Sequence, residues 1–380
     1  MTTQDITGIR KGRSLRWINW RSVRFFVTVG IVSTVISHFS EGETRSIEPT
    51  MTEAQLWTEL EKPDGQLQRL IKQIEDSVSI GDPRPFTAAT DHEAIFEQAT
   101  SGVAPGDEAD RIKGMFRRGT FAAWQGTPLI QESLTKQFRF LRPRTIDEHQ
   151  GLLFRSADET GSLNYHLLLM GKNADKDWCI RDIFVVGVNE TVSKTLSRTY
   201  RHLVAEFARG NAYAKVAPDR AVSAAFVANL PTIAKMNQNF ADNNYEAALK
   251  AYDQLPEPAQ RSHKAMLMRV EAAGHTSTEM LSTAMNDWKS LYKSDETLPL
   301  KFLDYYAANG DYDAAEKLAR TLDAKLGGDS YLRFRIGEIL FAREVSPEGL
   351  TPTAFRGSES RRTSSSGRRG GRGKNRAEGN

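Results

Sequence analysis

The chain has 380 residues, 39% of them hydrophobic and 26% charged, which is too long for one small domain and too polar for a multi-spanning membrane protein. Its formal charge of +3 conceals a segregation: residues 1–24 carry +5 and residues 356–380 carry +6, leaving −8 for the body between two basic ends. A lone Cys179 excludes an intramolecular disulfide and a cysteine-based zinc site, and its neighbours Trp178 and Ile180 suggest a strand in which it is a small buried apolar residue.

The basic leader at 1–24 holds Arg10, Lys11, Arg13, Arg16, Arg21 and Arg24. It runs into Phe25–Ser40, FFVTVGIVSTVISHFS, sixteen residues without a formal charge. A membrane span takes about 20 apolar residues, with about 17 as a lower limit, so this run is marginal on length. Trp17, Trp20 and the cations favour a single uncleaved transmembrane helix at 25–40, with the amino terminus cytoplasmic and the remaining domains outside the cytoplasm. A cleaved secretory signal and a β-rich segment of a soluble domain are the alternatives; no A-x-A-like cleavage site follows the run.

Residues 41–85 read as a linker and helical stalk between membrane and first domain. Thr52 can cap a helix carrying Leu56, Trp57 and Leu60, and Pro63, Asp64 and Gly65 break it. A second helix follows, with Leu67, Leu70, Ile71, Ile74 and Val78 at helical spacing. From about residue 90, Asp91 and Asp107 are positioned to cap two helices, and Thr127 with Pro128 to open a third. Four extended stretches come next, at 137–142, 151–157, 164–170 and 177–188, joined by the turn-rich pieces PRTIDEH, DETGSL and GKNADKD. Their order predicts an antiparallel meander. Strict alternation along the last stretch sets Trp178, Ile180, Asp182, Phe184 and Val186 on one face and Arg181 on the other.

This order of elements, ending in DIFVVGVNETVSKTLSRTYRHL (182–203), resembles the nuclear-transport-factor-2-like superfamily. The same stretch is similar to part of periplasmic lipid-transport proteins of the toluene-tolerance type. The resemblance implies a cone-like α+β domain over 90–208 whose curled sheet forms a cup for a small apolar molecule. Tyr165, Trp178 and Asp182 are then the candidate ligand-binding residues. Asp182 among apolar neighbours would be desolvated and could act as a base, whereas alternation separates Tyr165 from His166. A purely structural role for these residues is the plainer reading, and a bulge near Asp182 would turn it elsewhere.

Residues 218–345 contain an internal repeat. NYEAALKAYDQL (244–255) and DYDAAEKLARTL (311–322) align at an offset of 67, and a degenerate copy with Leu281, Met285 and Trp288 lies between them. The spacing of about two 34-residue units, with Ala248 followed by Tyr252, resembles tetratricopeptide repeats. The third copy has Ala315 and Ala319 instead, and the usual early Trp and Gly are missing. The resemblance implies binding of a protein or peptide by the stacked hairpins.

The tail at 356–380 is rich in Arg, Ser and Gly, a composition that reads as disordered. RRGGRGK is similar to segments that bind single-stranded nucleic acid, but no aromatic residue interleaves with it, and nucleic acid is a disfavoured partner. Seven scattered histidines form no ligand motif, and no P-loop, GxSxG or GxGxxG is present. No metal, cofactor or catalytic residue is assigned. The whole reads as an α+β chain with helical-hairpin repeats that acts as a membrane-anchored, non-enzymatic interaction or scaffold protein. A ligand carrier or hydrolase using the cup is the alternative.

Overall fold

The computed structural model of the chain describes residues 52–80, 82, 84–124, 137–157, 163–207, 219–292 and 297–345. Helices and a five-stranded antiparallel sheet place the fold in the α+β class. No helix among the described residues is long and apolar enough to cross a membrane. This corrects the transmembrane anchor expected at 25–40 and the extracytoplasmic placement derived from it. The run lies outside the described residues, and its sixteen residues fall short of the ~17 that the shortest spans need.

Helix α1 (Glu53–Glu61) starts in a capping box. Thr52 Oγ1 accepts from the Gln55 amide at 3.3 Å while Gln55 Oε1 accepts from the Thr52 amide at 3.0 Å. Helix α2 (Gly65–Ser79) is capped by Asp64, which accepts from the Leu67 amide at 2.8 Å. These helices are not a free stalk. Leu60, Leu67, Ile71, Ile74 and Val78 are buried in one cluster with Phe138, Leu152, Phe154, Leu168 and Trp178 of the sheet, because an amphipathic helix must cover its single apolar stripe. Three further helices lead to the sheet: α3 (Arg84–Ala89), α4 (His92–Thr100) and α5 (Asp107–Trp124). Asp91 caps α4, accepting from the Ala94 amide at 2.9 Å. The helix expected from Thr127 and Pro128 lies outside the described residues.

The strands β1 (Gln137–Ile146), β2 (His149–Ala157), β3 (Leu163–Lys172), β4 (Trp178–Val185) and β5 (Glu190–Thr191) are ordered as they occur in the chain, each antiparallel to the next. The meander is as expected, but β1 runs four residues beyond its anticipated end. Pro143 sits inside it, opposite Leu152. An edge strand accommodates proline because the missing amide would have faced outward. The turn shrinks to Asp147 and Glu148, with Asp147 at φ 52°. Helix α6 (Val192–Phe207) follows β5.

The rest of the described chain is helical: α7 (Arg220–Ala228), α8 (Leu230–Ala241), α9 (Tyr245–Asp253), α10 (Glu257–Gln260), α11 (His263–Thr276), α12 (Thr278–Tyr292), α13 (Pro299–Ala308), α14 (Tyr312–Leu326) and α15 (Ser330–Val345). The pairs α8/α9, α11/α12 and α13/α14 pack as hairpins, and α15 packs on α14. The 67-residue offset is visible in the backbone. Asn243 and Gly310 both take positive φ, 56° and 76°. Asn244 and Asp311 cap α9 and α14, each accepting from an alanine amide at 3.2 Å. Ala248, Tyr252, Leu281, Met285, Trp288, Ala315 and Ala319 are all buried.

The sheet and the helices do not form two separate bodies. One cluster joins α4, α5 and α6 to α8–α13, and another joins Ile146, Leu153, Tyr165, Leu167 and Phe184 to Leu300, Leu322, Leu326, Leu332 and Ile336. Both faces of the sheet are therefore covered, one by α1–α3 and the other by α13–α15. The expected open cup is occupied by the chain's own helices. Two arginines of β1 secure the junction at the end of α14. Arg142 donates to the carbonyls of Gly327 (2.5 Å) and Gly328 (2.7 Å), and Arg144 to those of Lys325 (2.9 Å) and Ala324 (2.8 Å). Last-turn carbonyls have no partner within their own helix, and a guanidinium satisfies them while facing the negative end of the helix dipole.

Candidate functional site

The three candidate ligand-binding residues do not converge. In β4, Arg181 is an extra residue: Leu169 pairs with Asp182, but Met170 pairs with Ile180. This bulge reverses the alternation, so Trp178 and Ile180 pack with Ile183 towards α1–α3 while Phe184 and Val186 face α13–α15. Trp178 therefore belongs to the opposite side of the sheet from Tyr165 and Phe184. Its ring lies under the Lys172 ammonium at 4.8 Å.

Asp182 is buried, and its acceptor positions are occupied. Oδ1 receives the amides of Ile183 (2.8 Å) and Ser193 (3.2 Å), and Oδ2 receives the Ser193 hydroxyl. The carboxylate thus closes the amino-terminal end of α6, a position the helix dipole favours. Burial raises its pKa, against hydrogen bonds from Ser193 and Ile183 that lower it. A carboxylate engaged in this way is a structural cap.

Tyr165 serves the junction between sheet and helices. Its hydroxyl donates to Asp329 Oδ2 at 2.8 Å, and Asp329 Oδ1 is paired with Arg155 Nη1 at 2.7 Å. Burial and the Asp329 carboxylate hold the phenol far above its usual pKa. Behind it, on the other face, His166 is fully enclosed. Neither ring nitrogen has a hydrogen-bond partner among the described residues, and burial pushes its pKa down to about 3. Cys179 is buried, and its thiol is raised to about 11, chiefly by burial. Among the described residues no group of three or more His, Cys, Asp or Glu side chains is placed to hold a metal ion.

The surface that stands out lies at the end of the helical series. Phe334 and Phe341 on α15 are 64% and 66% exposed. They are seven residues apart and so share one face, with Gly337 between them; nothing lies within 4 Å of where a Cβ at Gly337 would sit. The opposite face of α15 buries Leu332, Ile336 and Ile339. In the preceding hairpins the first helix is covered by the second, α8 by α9, α11 by α12 and α13 by α14. Helix α15 continues the series as a first helix, and no second helix covers it among the described residues. The neighbouring side of the stack is already neutralised, by Lys301–Glu271 at 2.8 Å, Arg335–Asp304 at 3.0 Å and Arg335–Glu338 at 3.0 Å.

The sequence reading assigned no role to Phe334 or Phe341. The available signal was that α15 carries apolar residues on two opposite faces, where a surface helix carries one stripe.

No protein-family model, curated protein or solved structure matches the chain. The resemblances to tetratricopeptide repeats and to the nuclear-transport-factor-2-like superfamily therefore gain no support.

Proposed function

We propose that the chain is a non-enzymatic protein-interaction component that offers the uncovered face of α15 to a protein partner. One observation carries the reading: two phenylalanines, each about two-thirds exposed, are aligned on the face of α15 opposite its buried Leu332, Ile336 and Ile339, and among the described residues no helix follows α15 to pack on it as α9, α12 and α14 pack on α8, α11 and α13. Scattered apolar residues on a surface need no explanation, but an aligned aromatic stripe is the form a helix-binding face takes. The ion-paired side of α11, α13 and α15 favours the same face, since its charges are already matched within the chain. The test compares proteins retained by the immobilised full chain and by the Phe334→Ser/Phe341→Ser variant. Both substitutions are on the surface and should leave thermal unfolding nearly unchanged. Loss of retained protein in the variant is expected; identical sets of retained proteins would refute the reading.

A further inference from the structure

Building on the interaction reading above, we propose that the partner of the α15 face is a second copy of this chain, paired through α15 in antiparallel orientation about a two-fold axis beside Gly337 and Glu338.

The face is self-complementary. Phe334 and Phe341 lie on either side of that axis, so a two-fold operation sets Phe334 of each chain against Phe341 of the other. Gly337 lies next to the axis, where the helices come closest, and the space around its Cα is open. A small residue at that point lets two backbones approach while the flanking aromatic rings interdigitate. Beside the axis, Glu338 of each copy is neutralised by its own Arg335 at 3.0 Å, and the charges on the other edge of the stripe are matched between copies. Arg333 and Glu344 are both exposed near opposite ends of the helix, and antiparallel pairing brings Arg333 of one chain towards Glu344 of the other. Arg333 is already engaged by Asp323 at 3.2 Å, yet its side chain remains 67% exposed and can serve both carboxylates.

The sequence that follows α15 carries no stripe complementary to this face. Between 346 and 355 the sequence holds Pro347, Gly349 and Pro352, and its two large apolar residues, Leu350 and Phe355, are spaced five apart, which matches no helical stripe. A copy of α15 supplies what the face lacks: a helix with aromatic residues seven apart.

The area sets the strength. The exposed parts of two phenylalanines per chain amount to roughly 500 Å² of apolar surface over the pair, against the ~1,600 Å² of a standard stable interface. The dimer should therefore be concentration-dependent, forming in the micromolar range or above.

Sedimentation equilibrium on the full chain, from about 1 to 200 µM, tests this. The weight-average mass should rise with concentration towards twice the monomer mass, and Phe334→Ser/Phe341→Ser should weaken association at least tenfold. Charge reversal gives a second readout that does not depend on the aromatic residues. Arg333→Glu alone should weaken the dimer, and Arg333→Glu with Glu344→Arg should restore it. A chain that stays monomeric up to 200 µM, or a dimer unaffected by the phenylalanine pair, overturns the proposal. Should the chain be monomeric while the phenylalanine variant still loses a retained protein, self-pairing fails and the interaction reading survives.

Discussion

Replacing His166 with Leu should change the pH dependence of stability in a way no surface substitution would. The imidazole is fully enclosed between the sheet and the amino-terminal helices, with its ring 5.8 Å from that of Phe138. Burial lowers its pKa from 6.5 to about 3. Because the folded value lies below the unfolded one, the unfolded chain binds the extra proton first. Stability is intact above pH 6.5 and is lost as pH falls from there towards 3. At pH 5 the unfolded imidazole is almost entirely protonated and the native one is neutral, so this residue removes about 2 kcal/mol relative to pH 7.5.

His92 and His202 are lowered to about 4 and His263 to about 3, chiefly by burial. Asp182 and Glu190 are raised and act in the opposite direction. All of these are common to parent and variant, so the difference between them isolates His166. Urea titrations at pH 7.5 and 5.0 would measure it. The variant should be at least as stable as the parent at pH 7.5, because two ring nitrogens without partners among the described residues, each carrying a desolvation penalty of about 1–3 kcal/mol, are replaced by apolar atoms. Its advantage should grow by about 2 kcal/mol at pH 5.0. An advantage that stays constant between the two pH values would refute the assignment of a neutral, enclosed imidazole.

Asp329→Ala should destabilise by about 3–5 kcal/mol in chemical denaturation, since Arg155, with its side chain only 11% exposed, is left uncompensated and the Tyr165 hydroxyl loses its acceptor. Tyr165→Phe removes one hydrogen bond to a charged group and should lower stability by about 1.5–3 kcal/mol, leaving the Arg155 pair intact. Asn243→Gly should raise the thermal midpoint slightly and Gly310→Ala lower it by the equivalent of about 1 kcal/mol, because both positions hold positive φ and only glycine does so without strain. Cys179 should resist a thiol reagent at pH 8 until the chain unfolds, since burial raises its thiol to about 11 and encloses it; rapid labelling of native protein would contradict its placement.

Local signals in the sequence located most elements. Thr52 and Asp91 mark helix starts because a short polar side chain can accept from first-turn amides that have no acceptor within the helix, and Asp64, expected only as a breaker, does the same for α2. The hairpin repeat was legible because Asn244 and Asp311, and the alanines that follow them, perform the same local task 67 residues apart. Features that depend on one inserted residue were not legible. Arg181 reads as one more outward position in an alternating strand, yet as a bulge it moves Trp178 to the face opposite Phe184 and dissolves the proposed trio. The extension of β1 was hidden by Pro143, a residue that reads as a breaker unless the strand is known to lie at an edge.

The largest feature outside the sequence expectations is Arg142, Arg144 and Arg155, which bind the end of α14 and the start of α15 across more than 170 residues of chain. Such pairing has no local signature, because each partner is an ordinary backbone carbonyl or a lone aspartate. Its consequence is that the sheet and the hairpins cannot be treated as independent modules. Removing α13–α15 would expose Ile146, Leu153, Tyr165, Leu167 and Phe184 on the sheet at once, and would leave Arg142 and Arg155 beside an uncovered apolar face. At ~25 cal/mol per Å² of apolar surface, five such side chains represent a sizeable share of the 5–15 kcal/mol that holds a folded domain together. A truncated chain that lost binding would therefore report unfolding as readily as loss of a site. Point changes at Phe334 and Phe341, which face solvent and support none of the buried clusters, separate the two outcomes.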